Sequence, residues 1–293
     1  MPEDTPRPPA ERIDSHTHAW LRWPYSETVV DAGTRAGAEH LLEQMDENDV
    51  SRALIVCADI GPDENRPNHR FAQKARENFP GRFELVAELD SFWAPHHHRP
   101  GAPDRLDRAL SEAPDAVGIT HYATGPNDGW FNTAEARLVF ERLADRRMLA
   151  SIAVPPNWLD DLFELAALVP GVNILLHHSG GYALGPGLED DLTTVCRGAS
   201  LPNVFVKASG FHYIESARPW NFPFREVHES FRTILHAYGP DRLAWGSDFP
   251  ASIGRVTYRQ SIEMVLTAVS DLDDASRDAI FGGTMARLLS HVR

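Results

Sequence analysis

The sequence predicts an α/β fold, a closed (β/α)8 TIM barrel, and three observations predict it. Eight short β-branched or apolar runs alternate with longer amphipathic segments. Parallel strands need crossovers of that kind, and eight such units close a ring. The chain has 293 residues, the length of one barrel. The first strand runs into His16-Thr17-His18, where an open doubly wound sheet would carry a Gly-rich turn.

The strands are expected at Arg12–Ser15, Arg52–Ala58, Phe83–Leu89, Ala116–His121, Leu149–Val154, Val172–His177, Val204–Ser209 and Arg242–Trp245. Ala38–Asn48 carries Leu41, Leu42 and Met45 at helical spacing, and Thr133–Arg146 carries Leu138, Phe140 and Leu143. Asn157 is expected to cap a helix over Trp158–Leu168, which Pro170-Gly171 stops. Glu226–Tyr238 ends before Gly239-Pro240, and a last pair around Tyr258–Val269 and Asp274–Ser290 closes the chain. Residues 1–10 are proline-rich, lack an apolar run, and are expected to be a disordered tail rather than a secretion signal. Residues 11–293 then form one domain, with no internal repeat and no shift in composition.

The net charge is −14, and no Lys/Arg block or basic helix face stands out. Neutralising phosphates needs the opposite balance, so a nucleic-acid partner is excluded. No apolar stretch approaches the roughly 18 residues of a membrane span, so no membrane partner is expected. What remains is a small-molecule substrate and a cytoplasmic location, with assembly into a homo-oligomer left open. Only two cysteines occur; Cys57 lies in an apolar run and reads as a small buried hydrophobe, so no disulfide framework is expected.

The chemistry-bearing residues fall at strand ends, and the C-terminal ends form the working face of a barrel. His16 and His18 are two apart, so they face one side and can jointly hold a borderline divalent metal. Asp248, in Trp245-Gly246-Ser247-Asp248-Phe249-Pro250, ends the last strand, which a closed barrel sets beside the first. A carboxylate there can bind a metal or take a proton from water. His177-His178-Ser179-Gly180-Gly181 ends strand six. Neighbours in a regular strand face opposite sides, so His178 is assigned to the site and His177 to the layer between strand and helix.

His121 and Tyr122 end strand four, where they could meet a substrate, or simply pack in a loop. Lys207 lies within strand seven; facing inward it could hold a substrate carboxylate, facing outward its stem would lie along a helix. His96-His97-His98 falls in a proline-rich loop and reads as solvated. Trp20, Trp23, Tyr25, Trp93 and Trp130 follow strands, and several are expected to wall a pocket, Trp20 as a substrate contact.

Arg12–Trp20 (RIDSHTHAW), Ile174–Gly181 (ILLHHSGG), Asn203–Gly210 (NVFVKASG), Arg242–Pro250 (RLAWGSDFP) and Ile280–Leu289 (IFGGTMARLL) together resemble the amidohydrolase-related family of metal-dependent barrel hydrolases. Within that family the chain looks most like the branch of sugar and pyrone lactonases. The resemblance implies His16 and His18 as metal ligands and Asp248 as ligand or water-activating base. It implies His178 as the residue that orients water or substrate. Many members place a further ligand histidine at the end of strand five; here that strand reads Ser151-Ile152-Ala153-Val154. No lysine ends strand four, so a bridged two-metal centre is not expected. The implied cofactor is one divalent ion, zinc before manganese, with metal-free catalysis as the alternative. The implied activity is opening of a lactone or similar cyclic ester by water. Non-oxidative decarboxylation of an aromatic or unsaturated acid is the alternative reaction, and a non-catalytic barrel is the third reading.

Overall fold

The computed structural model describes residues 11–26, 28–60, 67–214 and 218–292, so the expected tail at 1–10 lies outside the described residues. Eight parallel strands follow one another round a single sheet. They are β1 (Ile13–Thr17), β2 (Arg52–Val56), β3 (Phe83–Glu88), β4 (Gly118–Tyr122), β5 (Leu149–Ala153), β6 (Asn173–Leu176), β7 (Val204–Ala208) and β8 (Leu243–Trp245). The ring closes just beyond β8. Thr17 bridges Phe249, the Asp248 amide donates to the His16 carbonyl, and the His18 amide donates to the Phe249 carbonyl.

The helices are α1 (Ala38–Glu47), α2 (His69–Asn78), α3 (Ala102–Glu112), α4 (Ala134–Asp145), α5 (Leu159–Leu168), α6 (Leu188–Arg197), α7 (Phe211–Ile214), α8 (Arg225–Tyr238), α9 (Tyr258–Ala268), α10 (Asp274–Asp278) and α11 (Thr284–Ser290). Every expected strand and helix is present within a residue or two, but three things differ. Helices α2, α3 and α6 carry few large apolar residues, so their periodicity is weak in the sequence. The Asn157 amide donates to the Gly125 carbonyl instead of capping α5. The last expected helix is split by a π turn at Ala279–Gly283, where Gly282 lies so close to the Glu11 carbonyl that a Cβ would be 1.8 Å from it. No helix among the described residues is long and apolar enough to cross a membrane.

Two apolar layers build the core. Ile13, Leu54, Val56, Val86, Leu149, Leu175, Phe205 and Ala244 fill the barrel, and Met285 and Leu288 of α11 join them, stopping one end with hydrocarbon. Alternate residues such as Ile55, Ile119, Ile152, Leu176 and Val206 face the helices.

One irregularity decides where the histidines point. Ile13 pairs with Arg52 and Asp14 with Ala53, but the next partner of Ile55 is Thr17, one residue late. This is a β-bulge, and it reverses the alternation of β1. Ile13 faces the barrel with Leu54 and Val56. An unbulged strand would then send residues 15 and 17 inward, and the bulge sends in His16 and His18. The Asp14 carboxylate holds it. Oδ1 accepts from the His16 and Ser247 amides at 3.0 and 2.9 Å, and Oδ2 accepts from the Tyr258 hydroxyl at 2.9 Å. Asp14 is fully buried, so removing it strands three buried donors. Asp14→Ala is expected to lower the unfolding free energy by about 3 kcal/mol in urea titration. An unchanged denaturation midpoint would show that the bulge stands without the carboxylate.

Candidate active site

The C-terminal strand ends gather ionisable groups into one buried volume. His16 Nε2 lies 3.3 Å from His18 Nε2 and 3.4 Å from Asp248 Oδ1, and His18 Nε2 lies 3.3 Å from the same oxygen. All three residues are at most 6% exposed. An equilateral triangle of that size is one face of a tetrahedron with bonds of about 2.0–2.1 Å, whose edges are about 3.3–3.4 Å. Two imidazole nitrogens and a carboxylate oxygen are also a donor set that suits zinc-like ions. The residues present therefore fit a single divalent metal.

Each of the three side chains has a support. The His18 ring donates from Nδ1 to the Val56 carbonyl at 2.8 Å, which leaves Nε2 as a lone pair. His16 Nδ1 lies 3.0 Å from Lys207 Nζ, and Nζ donates to Ser151 Oγ at 2.7 Å. Asp248 sits in the left-handed region at φ 58°, a conformation costly for a residue with a Cβ and concentrated at working sites. The Tyr213 hydroxyl donates a hydrogen bond to Asp248 Oδ2. Burial alone would raise the Asp248 carboxyl, but its close contacts with the His16 and His18 rings outweigh it and keep it well below the ordinary carboxylate range. Burial, then the Lys207 charge, holds His16 well below its usual value.

Strand six differs from expectation. Leu175 faces the barrel, and alternation carries His177, not His178, inward after it. The His177 ring stands edge-on to His16 at 4.4 Å and bonds through Nε2 to Ser151 Oγ at 2.6 Å. The assignment of His177 to the strand–helix layer is thereby corrected. His178 also reaches the site, because the strand has ended: its φ is 45°, Ser179 follows at 57°, and the ring swings back to 4.8 Å from His16. The regular alternation assumed in the sequence stops at Leu176. His178 Nδ1 lies 3.2 Å from Ser209 Oγ, and burial lowers its imidazole to about 4.

Lys207 does point inward, but no part of it is exposed, and His16 and Ser151 occupy its ammonium. It lies beneath the histidines, away from any substrate carboxylate. Burial lowers it to about 7 against the pull of Asp14 and Asp248. His121 and Tyr122 part company. Tyr122 faces His177 at 5.1 Å, whereas His121 turns to the helix side of β4, against Trp130 and Phe131. Trp20 stacks on the His18 ring at 5.0 Å, with Tyr25 edge-on to it, and Trp93 stands 4.8 Å from Tyr122. Trp23 backs Tyr25. Trp130 joins His98 and His121 instead, and that trio does not read as a solvated loop.

Asp14, Tyr213, Tyr258 and His177 went unassigned to the site in the sequence. An aspartate inside an apolar strand was a usable signal for Asp14, since a buried carboxylate needs partners. Nothing local marked Tyr213, which α7 delivers from a loop.

Fold and geometry define a barrel enzyme with a histidine–aspartate centre at its C-terminal mouth. The chain belongs to the amidohydrolase family, whose sequence profile matches residues 13–290. It is 32% identical over 127 residues to an L-fucono-1,5-lactonase of Burkholderia multivorans; the match covers 39% of this chain and 42% of that protein, less than half its length. It is 30% identical over 264 residues to the uncharacterized protein y4mH of Sinorhizobium fredii, covering 81% of this chain and 84% of that one. Among solved structures, an amidohydrolase from Burkholderia multivorans with bound zinc superposes with a TM-score of 0.76 at 21% identity, over 96% of this chain and 99% of that one.

Gly246 lets β8 approach β1: a Cβ there would lie 2.7 Å from His16 Cβ and 3.0 Å from Ser15 Oγ. Gly246→Ala is expected to displace His16 and weaken the affinity of the triangle for a divalent ion about 10–100-fold. Calorimetric titration of metal-free protein checks this; unchanged affinity would remove His16 from the ligand set.

Proposed function

We propose that the protein hydrolyses a lactone or similar cyclic ester, using one divalent ion held by His16, His18 and Asp248. The observation that carries this reading is the 3.3–3.4 Å triangle of donor atoms. The similarity to a lactonase supports the choice of substrate class. The nitrogen-rich donor set favours zinc over manganese.

A bound ion would supply Lewis acidity, polarising the ester carbonyl and acidifying a water. The protein's own groups supply the rest. Asp248 is ionised at neutral pH; Oδ1 would hold the ion, and Oδ2, oriented by the Tyr213 hydroxyl, keeps a lone pair to take the proton of the attacking water. His178 is neutral there; with Ser209 donating to Nδ1, its Nε2–H is free to donate to the oxyanion. As the ring C–O bond breaks, the proton gathered at Asp248 passes to the departing alkoxide, and the product is one hydroxy acid. Trp20, stacked on His18, and Tyr122, edge-on to His177, supply the aromatic surroundings of the centre. Lys207 acts through His16, fixing its ring rather than touching substrate.

A panel of sugar and pyrone lactones tests the reading. Turnover is expected, lost on dialysis against dipicolinate and restored by zinc. Asp248→Asn is expected to lower kcat about 10²–10⁴-fold. No turnover of any lactone, or full activity in Asp248→Asn, would overturn it.

A further inference from the structure

A second group of imidazoles gathers on the other side of β4. His121 is 1% exposed on its helix-facing side, and His97 and His98 come from the loop between β3 and α3. One potential ligand atom from each of the three lies within 4.8 Å of the others. The His98 side chain is 6% exposed, and the indole of Trp130 lies parallel to it at 4.6 Å and under His121 at 4.9 Å.

Hydrogen bonding fixes which nitrogen carries the proton in every ring. His97 Nδ1 donates to the Asp90 carbonyl at 2.6 Å, and His121 Nδ1 donates to the Leu89 carbonyl at 2.8 Å. Carbonyl oxygens only accept, so both Nδ1 atoms bear hydrogen. His98 Nδ1 donates to the Asp128 carboxylate at 2.7 Å. Each Nε2 of a neutral ring is then a bare lone pair. Yet His98 Nε2 and His121 Nε2 face each other at 3.1 Å. Two lone pairs at hydrogen-bond distance repel unless something positive lies between them.

A proton or a metal ion could fill that role, and three features favour the metal. A third imidazole, His97, stands against His98 at 3.6 Å between ring centres, where one shared proton has no use for it. Nδ1 bonds to carbonyls and a carboxylate are the supports that orient metal-binding histidines. The backbone is also strained to deliver them: His98 has φ 53° and Asp90 has φ 52°, and Arg105 clamps the Asp90 carboxylate at 2.6 and 2.5 Å.

We propose that His97, His98 and His121 form a second site, for an imidazole-preferring divalent transition ion of the zinc class, tying the β3–α3 loop to the end of β4. It shares no residue with the His16–His18–Asp248 centre and does not depend on the reaction proposed for it. Its placement outside the barrel gives the ion a cross-linking role rather than a catalytic one. Coordination beyond the three nitrogens falls to water.

The test uses the full chain carrying His16→Ala and Asp248→Ala, which removes the residue shared by both metal-capable groups of the barrel mouth, His16–His18–Asp248 and His16–His177–His178. Metal-free protein is titrated with Zn2+ by calorimetry and with Co2+ by visible absorption. One ion per chain is expected, with a nitrogen-ligand cobalt spectrum. Adding His121→Ala is expected to weaken binding at least tenfold. Should that variant misfold by circular dichroism, His97→Gln, at a half-buried surface position, carries the same expectation. Absence of binding in the background, or binding indifferent to His97→Gln, overturns the proposal. So does a nitrogen-15 spectrum of the same protein with excess Zn2+ that still shows His98 as an imidazolium, which assigns the gap to a proton.

Discussion

The placement of the whole centre rests on the bulge in β1. A strand presents alternate residues to one side, so Ile13 in the apolar plug and His16 in the polar mouth cannot share a face without an inserted residue. At the bulge the Asp14 carboxylate collects the His16 amide of β1 and the Ser247 amide just beyond β8. The same oxygen therefore sets the direction of His16 and holds the chain leading to Asp248. Ring closure and ligand geometry are one constraint, because the segment that brings Asp248 to His16 is also the eighth staple of the barrel.

Much of this was legible in the sequence, and the failures have a common cause. The eight strands stand out as β-branched runs because each is buried on both sides. That same burial hides which face of each strand is inward. In β6, Ile174, Leu175 and Leu176 are all apolar, so nothing in the pattern chose between His177 and His178. In β7, Val204, Phe205 and Val206 left Lys207 equally ambiguous. His16 and His18 were read as a pair because their spacing alone required it, while the bulge that turns the pair inward leaves no compositional trace. The left-handed residues His98, His178 and Asp248 are likewise invisible to a periodicity argument, since each is not glycine. They sit where a strand or loop gives up its regular path to aim a side chain.

The imidazoles at both clusters share a rule. His18, His98 and His121 each commit Nδ1 to an oxygen acceptor and leave Nε2 pointing at another nitrogen, and His97 commits its Nδ1 in the same way. Burial makes that arrangement consequential, because a neutral ring in a dry setting must settle on one tautomer. His16 departs from it, with its Nδ1 against an amine rather than a carbonyl. Its tautomer is set by what Lys207 gives or takes.

That departure explains the lysine. Lys207, Ser151 and His177 form a polar layer across a barrel whose next layer down is hydrocarbon. Apolar residues of equal volume would cost less desolvation, so the layer lowers stability relative to a simpler core. What it gains is rigidity beneath the ligands. Lys207 reaches from β7 to both His16 and β5, and Ser151 passes the connection on to His177. Strand five contributes no ligand, because Ala153 ends it without a donor side chain. Its share in the centre is instead this serine, two residues below the rim. A centre supported by three side chains on one side of His16 therefore needs less from β5 than the family resemblance implies.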